Sequence, residues 1–245
     1  MMHENERIDD LELNGLKIIQ NKSMFCFGTD AVLLADFVKA GNRARVADLG
    51  TGTGILPLLL TAKTKALKIT GLEIQEKMCD MARRSVTMNG LEEKVEIIHG
   101  DIRSISSVMK AHSYDNVVAN PPYMKNNAGF QNRDDSFTIA RHEVLCSLED
   151  VIRAGAYLLK FKGSLTMVHR PCRMVDVLFL MRKHGIEPKR LRVVQNRRES
   201  QPVLFLVNGV KGANPWLKVE KPLVIKDEEG FYSPEILDIY GKTKE

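Results

Sequence analysis

The chain has 245 residues, 44% of them hydrophobic and 27% charged, with a net charge of +5. That length carries one α/β domain with an ample core, and the composition excludes a low-complexity or disordered chain. No apolar run approaches the roughly 20 residues that span a bilayer, and the opening Met-Met-His-Glu-Asn-Glu is too polar for a signal peptide, so a cytoplasmic protein with no membrane partner is expected.

In chain order, residues 11–19 alternate apolar and polar around Asn14-Gly15, a hairpin signal. Thr29 or Asp30 is placed to cap a helix that runs to about residue 39, with Gly41 as its stop. A short strand over 44–49 contains Asp48 near its end and leads into Gly50, Gly52 and Gly54, then an apolar helix over 54–65. Glycines at that spacing let the backbone turn tightly and approach a ligand with no side chain in the way. The dinucleotide-binding pattern Gly-x-Gly-x-x-Gly fails, because Ile55 stands at the third glycine's position.

A second strand, 68–73, ends in Glu73, an acceptor-only group that matches two vicinal ribose hydroxyls. A helix over 75–89 precedes a third strand, 94–99, followed by Gly100-Asp101. Asp101 suits an adenine amino group, although Gly-Asp after a strand is also a common turn. The fourth strand, 114–119, stops at Asn120-Pro121-Pro122-Tyr123. Prolines lock that backbone and carry no N–H, which leaves carbonyls free to accept. A planar NH2 group can then donate to the Asn120 side-chain oxygen and the Pro121 carbonyl, with Tyr123 as a stacking face. Read alone, Pro-Pro after a strand is just a turn.

Beyond it, residues 124–136 are polar and read as a loop over the site. A helix is expected over 148–160, a strand over 163–169 and a helix over 171–184, with apolar runs at 191–194 and 203–207 finishing the sheet. Residues 153–199 hold twelve Lys/Arg against three Asp/Glu, so the rest of the chain is net acidic. A localised basic excess points to a polyanionic partner, RNA above all, against the plainer reading of solvated helix faces. Arg197-Arg198 suits a phosphate-binding turn. The tail carries an apolar stretch at 222–225 and a short helix after Ser233. Cys26, Cys79, Cys146 and Cys172 form no Cys-x-x-Cys pair, so reduced thiols and no metal site are expected.

Glycines or acids at three successive strand ends, then Asn-Pro-Pro-Tyr at the fourth, resemble the Rossmann-like S-adenosylmethionine-dependent methyltransferases. Phe25-Cys26-Phe27-Gly28-Thr29-Asp30, Ala140-Arg141-His142-Glu143 and Val168-His169-Arg170-Pro171 are similar to the small-domain amino-methyltransferases. Among these the chain is most similar, over roughly residues 13–240, to the bacterial tRNA-valine adenine-37 N6-methyltransferase family. The resemblance implies a doubly wound, mostly parallel sheet with an antiparallel last strand. It implies one domain: a hairpin and lid at 1–28, a core at 29–210 and an extension at 211–245.

S-adenosyl-L-methionine is the implied cofactor, held by Thr29, Asp30, Asp48, Gly50, Gly52, Gly54, Glu73, Asp101 and Asn120. Asp48 would order the glycine loop and face the methionyl ammonium, directly or through water. Phe25, Phe27, Thr29 and Asp30 would form a lid, though aromatic packing and helix capping explain them equally. Asn120, Pro121 and Tyr123 would carry catalysis on an adenine N6 amine in tRNA; Arg197 and Arg198 would bind RNA, and Arg141 and His142 are further candidates. A protein glutamine N5-methyltransferase shares Asn-Pro-Pro-Tyr and remains an alternative, as, from another class, does a nicotinamide-dependent oxidoreductase on the same sheet.

Overall fold

The computed structural model describes residues 2–21, 28–121 and 146–242. Its elements are strands β1 (Glu6–Asp10) and β2 (Lys17–Asn21), helix α1 (Thr29–Phe37), β3 (Arg45–Leu49), α2 (Ile55–Lys63), β4 (Lys68–Glu73), α3 (Glu76–Met88), β5 (Val95–His99), a short α4 (Ile105–Val108) and β6 (Tyr114–Ala119). After the gap come α5 (Leu148–Leu158), β7 (Leu159–His169), α6 (Met174–Lys183), β8 (Ile186–Gln195), β9 (Pro202–Lys211), the two-residue strands β10 (Lys218–Val219) and β11 (Leu223–Val224), and α7 (Pro234–Ile239).

Strands β3 to β11 form one sheet in the order β10-β8-β9-β7-β6-β3-β4-β5, with β11 also paired to β8. All pairings are parallel except those of β9, which lies antiparallel between β7 and β8. The order reverses between β3 and β6, so a crevice opens beyond their C-terminal ends. Alternation of side chains loads both faces. Val46, Ile69 and Val118 face a core closed by α1, α2, α3 and α7, and Ala47, Val117 and Leu165 face a core closed by α5 and α6.

The amino-terminal hairpin differs from the expected register. Asn14 and Gly15 do form a left-handed turn, at φ 53° and 70°, with Leu16 N donating to Leu13 O at 3.0 Å. The paired arms, however, are Glu6–Asp10 and Lys17–Asn21. Glu12, at φ 51°, breaks the ladder, and its N–H is taken by Asp10 Oδ1 at 2.7 Å. Arg84 fastens this hairpin to α3 through Glu6 at 2.6 Å, holding the Glu6 carboxyl down at about 2, and Ile19 N donates to Ser85 Oγ at 2.9 Å.

Two boundaries also move. Neither Thr29 nor Asp30 caps α1: they are its first two residues, and Gly28 is the cap position. The helix after Ser147 stops at Leu158, because β7 begins at Leu159 and absorbs an irregularity around Lys162, at φ 65°. There the β6–β7 register jumps from Tyr114↔Leu159 to Asn116↔Ser164. A Cβ at residue 163 would lie 2.9 Å from Asp115 O, so Gly163 is what lets the strands close.

Candidate active site

The C-terminal edge of the sheet collects the sequence candidates in strand order: Asp101 after β5, Glu73 at the end of β4, the glycine loop after β3, Asn120 after β6 and His169 at the end of β7. Leu49 and Ala119 are register partners, so the glycine loop and Asn120 leave adjacent strands side by side.

Gly50, Gly52 and Gly54 all have left-handed backbones, at φ 78°, 57° and 86°. The loop is hung on the neighbouring strand, with Gly50 N and Thr51 N both donating to Leu72 O at 2.9 Å. The Glu73 carboxylate completes it, one oxygen accepting from Gly52 N and the other from Gln75 N, each at 2.9 Å. Glu73 is only 5% exposed, yet a carboxylate has about four acceptor sites, so two remain. A Cβ added at Gly50 or Gly52 would meet nothing within 4 Å, whereas one at Gly54 would lie 3.1 Å from Ala82 Cβ. The first two glycines therefore border open space, and the third is demanded by packing.

Asp48 is fully buried, and neither of its oxygens has a hydrogen-bond partner, nor has Thr51 Oγ1. Burial pushes its carboxyl up to about 7; the Thr51 hydroxyl opposes this, at a contact short of hydrogen-bond geometry, and the charge of Glu73 adds to it. A carboxylate in this position favours a cation or water nearby. Thr51 itself was not singled out by sequence. Gly71 was the available signal, since a Cβ there would lie 2.8 Å from Thr51 Oγ1.

Asp101 is engaged differently. It caps the short helical turn that follows and holds Arg103 in a bidentate pair, Nε donating to Oδ1 at 3.1 Å and Nη2 to Oδ2 at 2.6 Å. Arg103 holds its carboxyl below the usual range. Asn120 is half-buried and Pro121 buried. Pro122, Tyr123, Phe25, Phe27, Arg141 and His142 lie outside the described residues. Thr29 opens α1, which packs in one core with the carboxy-terminal helix α7, and Asp30 Oδ1 accepts from Ala31 N at 2.9 Å. His169 is buried and held neutral, its pKa driven to about 4 chiefly by burial, with Nδ1 accepting from Arg170 N at 2.8 Å.

The basic excess is largely neutralised. Arg153, Lys160, Arg173, Arg182, Lys183, Arg190 and Arg192 pair with Asp150, Asp115, Asp176, Glu187, Glu149, Glu220 and Glu235. Arg197 and Arg198 are exposed on the β8–β9 turn and make no ion pair among the described residues. Because β8 runs parallel to β7, that turn lies at the same edge as the glycine loop.

Among the described residues no helix is long and apolar enough to cross a membrane. The chain is 28% identical to a tRNA1(Val) (adenine(37)-N6)-methyltransferase of Bacteroides fragilis, over 74% of this chain and 75% of that protein. It is 27% identical to one of the same name from Tolumonas auensis, over 90% of each. A crystal structure from Agrobacterium tumefaciens, titled a predicted O-methyltransferase, shares the fold at a TM-score of 0.70 and 23% identity, over 88% of this chain and 98% of that one. TYW2 of M. jannaschii, crystallised with AdoMet, does so at 0.57 and 15% identity, over 86% and 87%. The family model for the methyltransferase small domain matches residues 15–183. With a class I methyltransferase sheet beneath it, the chain belongs to the methyltransferase small domain family and is an S-adenosylmethionine-dependent methyltransferase.

Proposed function

We propose that the chain methylates an exocyclic amine, the N6 of an adenine in tRNA. The observation that carries this is the placement of Asn120-Pro121 just past the end of the strand beside the glycine loop, where an amine acceptor must meet a methyl donor. The names and coverage of the relatives, at 23–28% identity, support adenine in tRNA as the substrate.

The cradle fits the cofactor. Open space over Gly50 and Gly52 receives it, Glu73 retains acceptor capacity for ribose hydroxyls, and the orphaned Asp48 carboxylate stands ready for a cationic ammonium, directly or through water. Bound S-adenosylmethionine supplies a methyl group already activated on a sulfonium. The protein's part is alignment. The adenine N6 lone pair is delocalised into its ring; hydrogen bonds from both N6 protons to the Asn120 side-chain oxygen and the Pro121 carbonyl favour a pyramidal nitrogen and aim its lone pair. Alignment of this kind supplies up to ~7–11 kcal/mol of a barrier. The target base must leave its stack to arrive there, and Tyr123 takes over the stacking. Thr29 and Asp30 border the cofactor from α1, Asp101 reaches the adenine amine only by sharing its carboxylate with Arg103, and Arg197 and Arg198 hold RNA phosphates.

Incubation with labelled cofactor and unmodified tRNA, followed by nucleoside mass spectrometry, tests the reading. N6-methyladenosine is expected; label entering a release-factor glutamine, with none in RNA, overturns it.

A further inference from the structure

We propose that the hairpin over residues 225–233 and the Arg197-Arg198 turn form one landing site for an unpaired stretch of RNA, with Phe231 stacking on a base and the two arginines holding its phosphates. This rests on the RNA reading above and adds a second recognition point to it.

The two segments are built as a unit. β11 runs alongside the end of β8, pairing Leu223 with Val194 and Val224 with Gln195. Ile225 N then donates to Gln195 O at 2.8 Å and Lys226 N to Asn196 O at 2.9 Å. The chain folds back through a Lys226↔Tyr232 bridge, with Ser233 N on Ile225 O at 2.9 Å. The guanidinium of Arg197 lies beside the hairpin, Nη2 standing 3.8 Å from where a Cβ on Gly230 would sit.

Two rings are presented to solvent there, Phe231 at 69% and Tyr232 at 53% exposure. An exposed aromatic alone is ordinary. Here the backbone of Phe231 is pinned on both sides, its N–H donating to Asp227 Oδ1 and its carbonyl accepting from Asp227 N, each at 2.9 Å. Tyr232 stacks on Tyr240, at 6.3 Å and 21°, and Tyr240 packs against the core that α1 helps to close. The Phe231 backbone and the Tyr232 ring are thus held in place while both rings remain wet, as a stacking platform requires.

Charge then sets the direction of the strand. Arg197 and Arg198 are exposed and make no ion pair among the described residues, whereas Glu228 and Glu229 are exposed at the hairpin's tip. Phosphates are drawn to the turn and repelled from the tip, so a strand lies with its backbone on the arginines and its bases toward Phe231. Three strand spacings separate β8 from β6, about 14 Å at ~4.8 Å each. The stacked base is therefore a neighbour of the target and not the target itself.

Fluorescence anisotropy of the full chain with a labelled single-stranded oligoribonucleotide, and with the same oligonucleotide in a duplex, tests this. Phe231→Ala should weaken single-strand binding by about 5- to 150-fold, the range for one stacked base. It should leave the salt slope, duplex binding and S-adenosylhomocysteine affinity unchanged, and Phe231→Trp should retain single-strand binding. Wild-type single-strand affinity in Phe231→Ala, or an equal loss for the duplex, overturns the proposal. A chain that binds single strands through Phe231 but methylates no tRNA would overturn the function proposed above and leave this site standing. tRNA methylation together with unaltered single-strand binding by Phe231→Ala would do the reverse.

Discussion

Glu73 Oε2 accepts from the Gly52 amide at 2.9 Å across 21 residues of sequence, so the acid at the end of one strand fixes the shape of the loop that leaves the next. With Oε1 on Gln75 N, the carboxylate both sets the loop and faces the crevice. Glu73→Ala should weaken S-adenosylhomocysteine binding by roughly 1–3 kcal/mol, the scale for losing charge-assisted hydrogen bonds, and lower the melting temperature as two amides lose their acceptor. Calorimetry returning wild-type affinity would refute the ribose assignment.

The glycines separate by what surrounds them. Gly54→Ala combines a left-handed φ of 86° with a Cβ 3.1 Å from Ala82 Cβ, so it should destabilise the fold by more than the ~1–2 kcal/mol of the backbone term alone. Gly52→Ala, at φ 57° with open space around it, should cost only that backbone term while depressing cofactor affinity. Denaturant melts and calorimetry on both variants check this; equal stability losses would show that the loop tolerates neither for the same reason.

Much of this was legible because it is local. Strands expected at 68–73 and 114–119 are Lys68–Glu73 and Tyr114–Ala119, and those expected at 44–49 and 94–99 begin one residue later, since continuous apolar runs ending in glycine or acid leave little choice of period or boundary. What escaped depends on partners distant in sequence. The long β8–β9 arms reach well beyond the apolar runs 191–194 and 203–207, because pairing with β7 and with each other satisfies residues whose own pattern is mixed. The twelve cations at 153–199 read as a polyanion site, but among the described residues seven of them meet acids, five of these outside that stretch, such as Asp115 and Glu235. Composition along a chain does not show that neutralisation. The capture of Asp101 by Arg103, two residues on, is a side-chain pairing that a Gly-Asp pattern after a strand does not show.

Asp48 makes stability depend on pH in a defined direction. Its folded pKa, about 7, lies above the ordinary 3.8, so between those values the native state holds a proton that the unfolded chain has lost. Unfolding free energy should therefore fall as pH rises from about 4 to about 8, by up to about 4 kcal/mol. Asp48→Asn should flatten that dependence, matching wild type at pH 4 and exceeding it at pH 8 in urea melts of the ligand-free protein. Cofactor affinity of the wild type should rise over the same range, because a cation favours the ionised carboxylate. Parallel pH profiles for the two proteins would remove Asp48 as the source.

Arg197 and Arg198 are exposed at the C-terminal edge of the sheet. Replacing both with alanine should weaken RNA binding and reduce the slope of log affinity against log salt by about one to two, with S-adenosylhomocysteine affinity unchanged. Filter binding at several salt concentrations would show an unaltered slope if the phosphate contacts lie elsewhere.

Asn120 separates chemistry from binding. It is half-buried at the end of β6, where a polar side chain contributes little to the core, so Asn120→Ala should fold normally. Cofactor affinity should fall modestly and RNA affinity hardly at all, since phosphate contacts dominate it. An acceptor that aims the amine acts mainly in the transition state, so methyl transfer at saturating substrates should drop by roughly 10²–10³, by analogy with losing one aimed donor from an oxyanion hole. Single-turnover assays give the decision: a folded variant with near wild-type rates would take Asn120 out of the mechanism and leave the prolines after it as a turn.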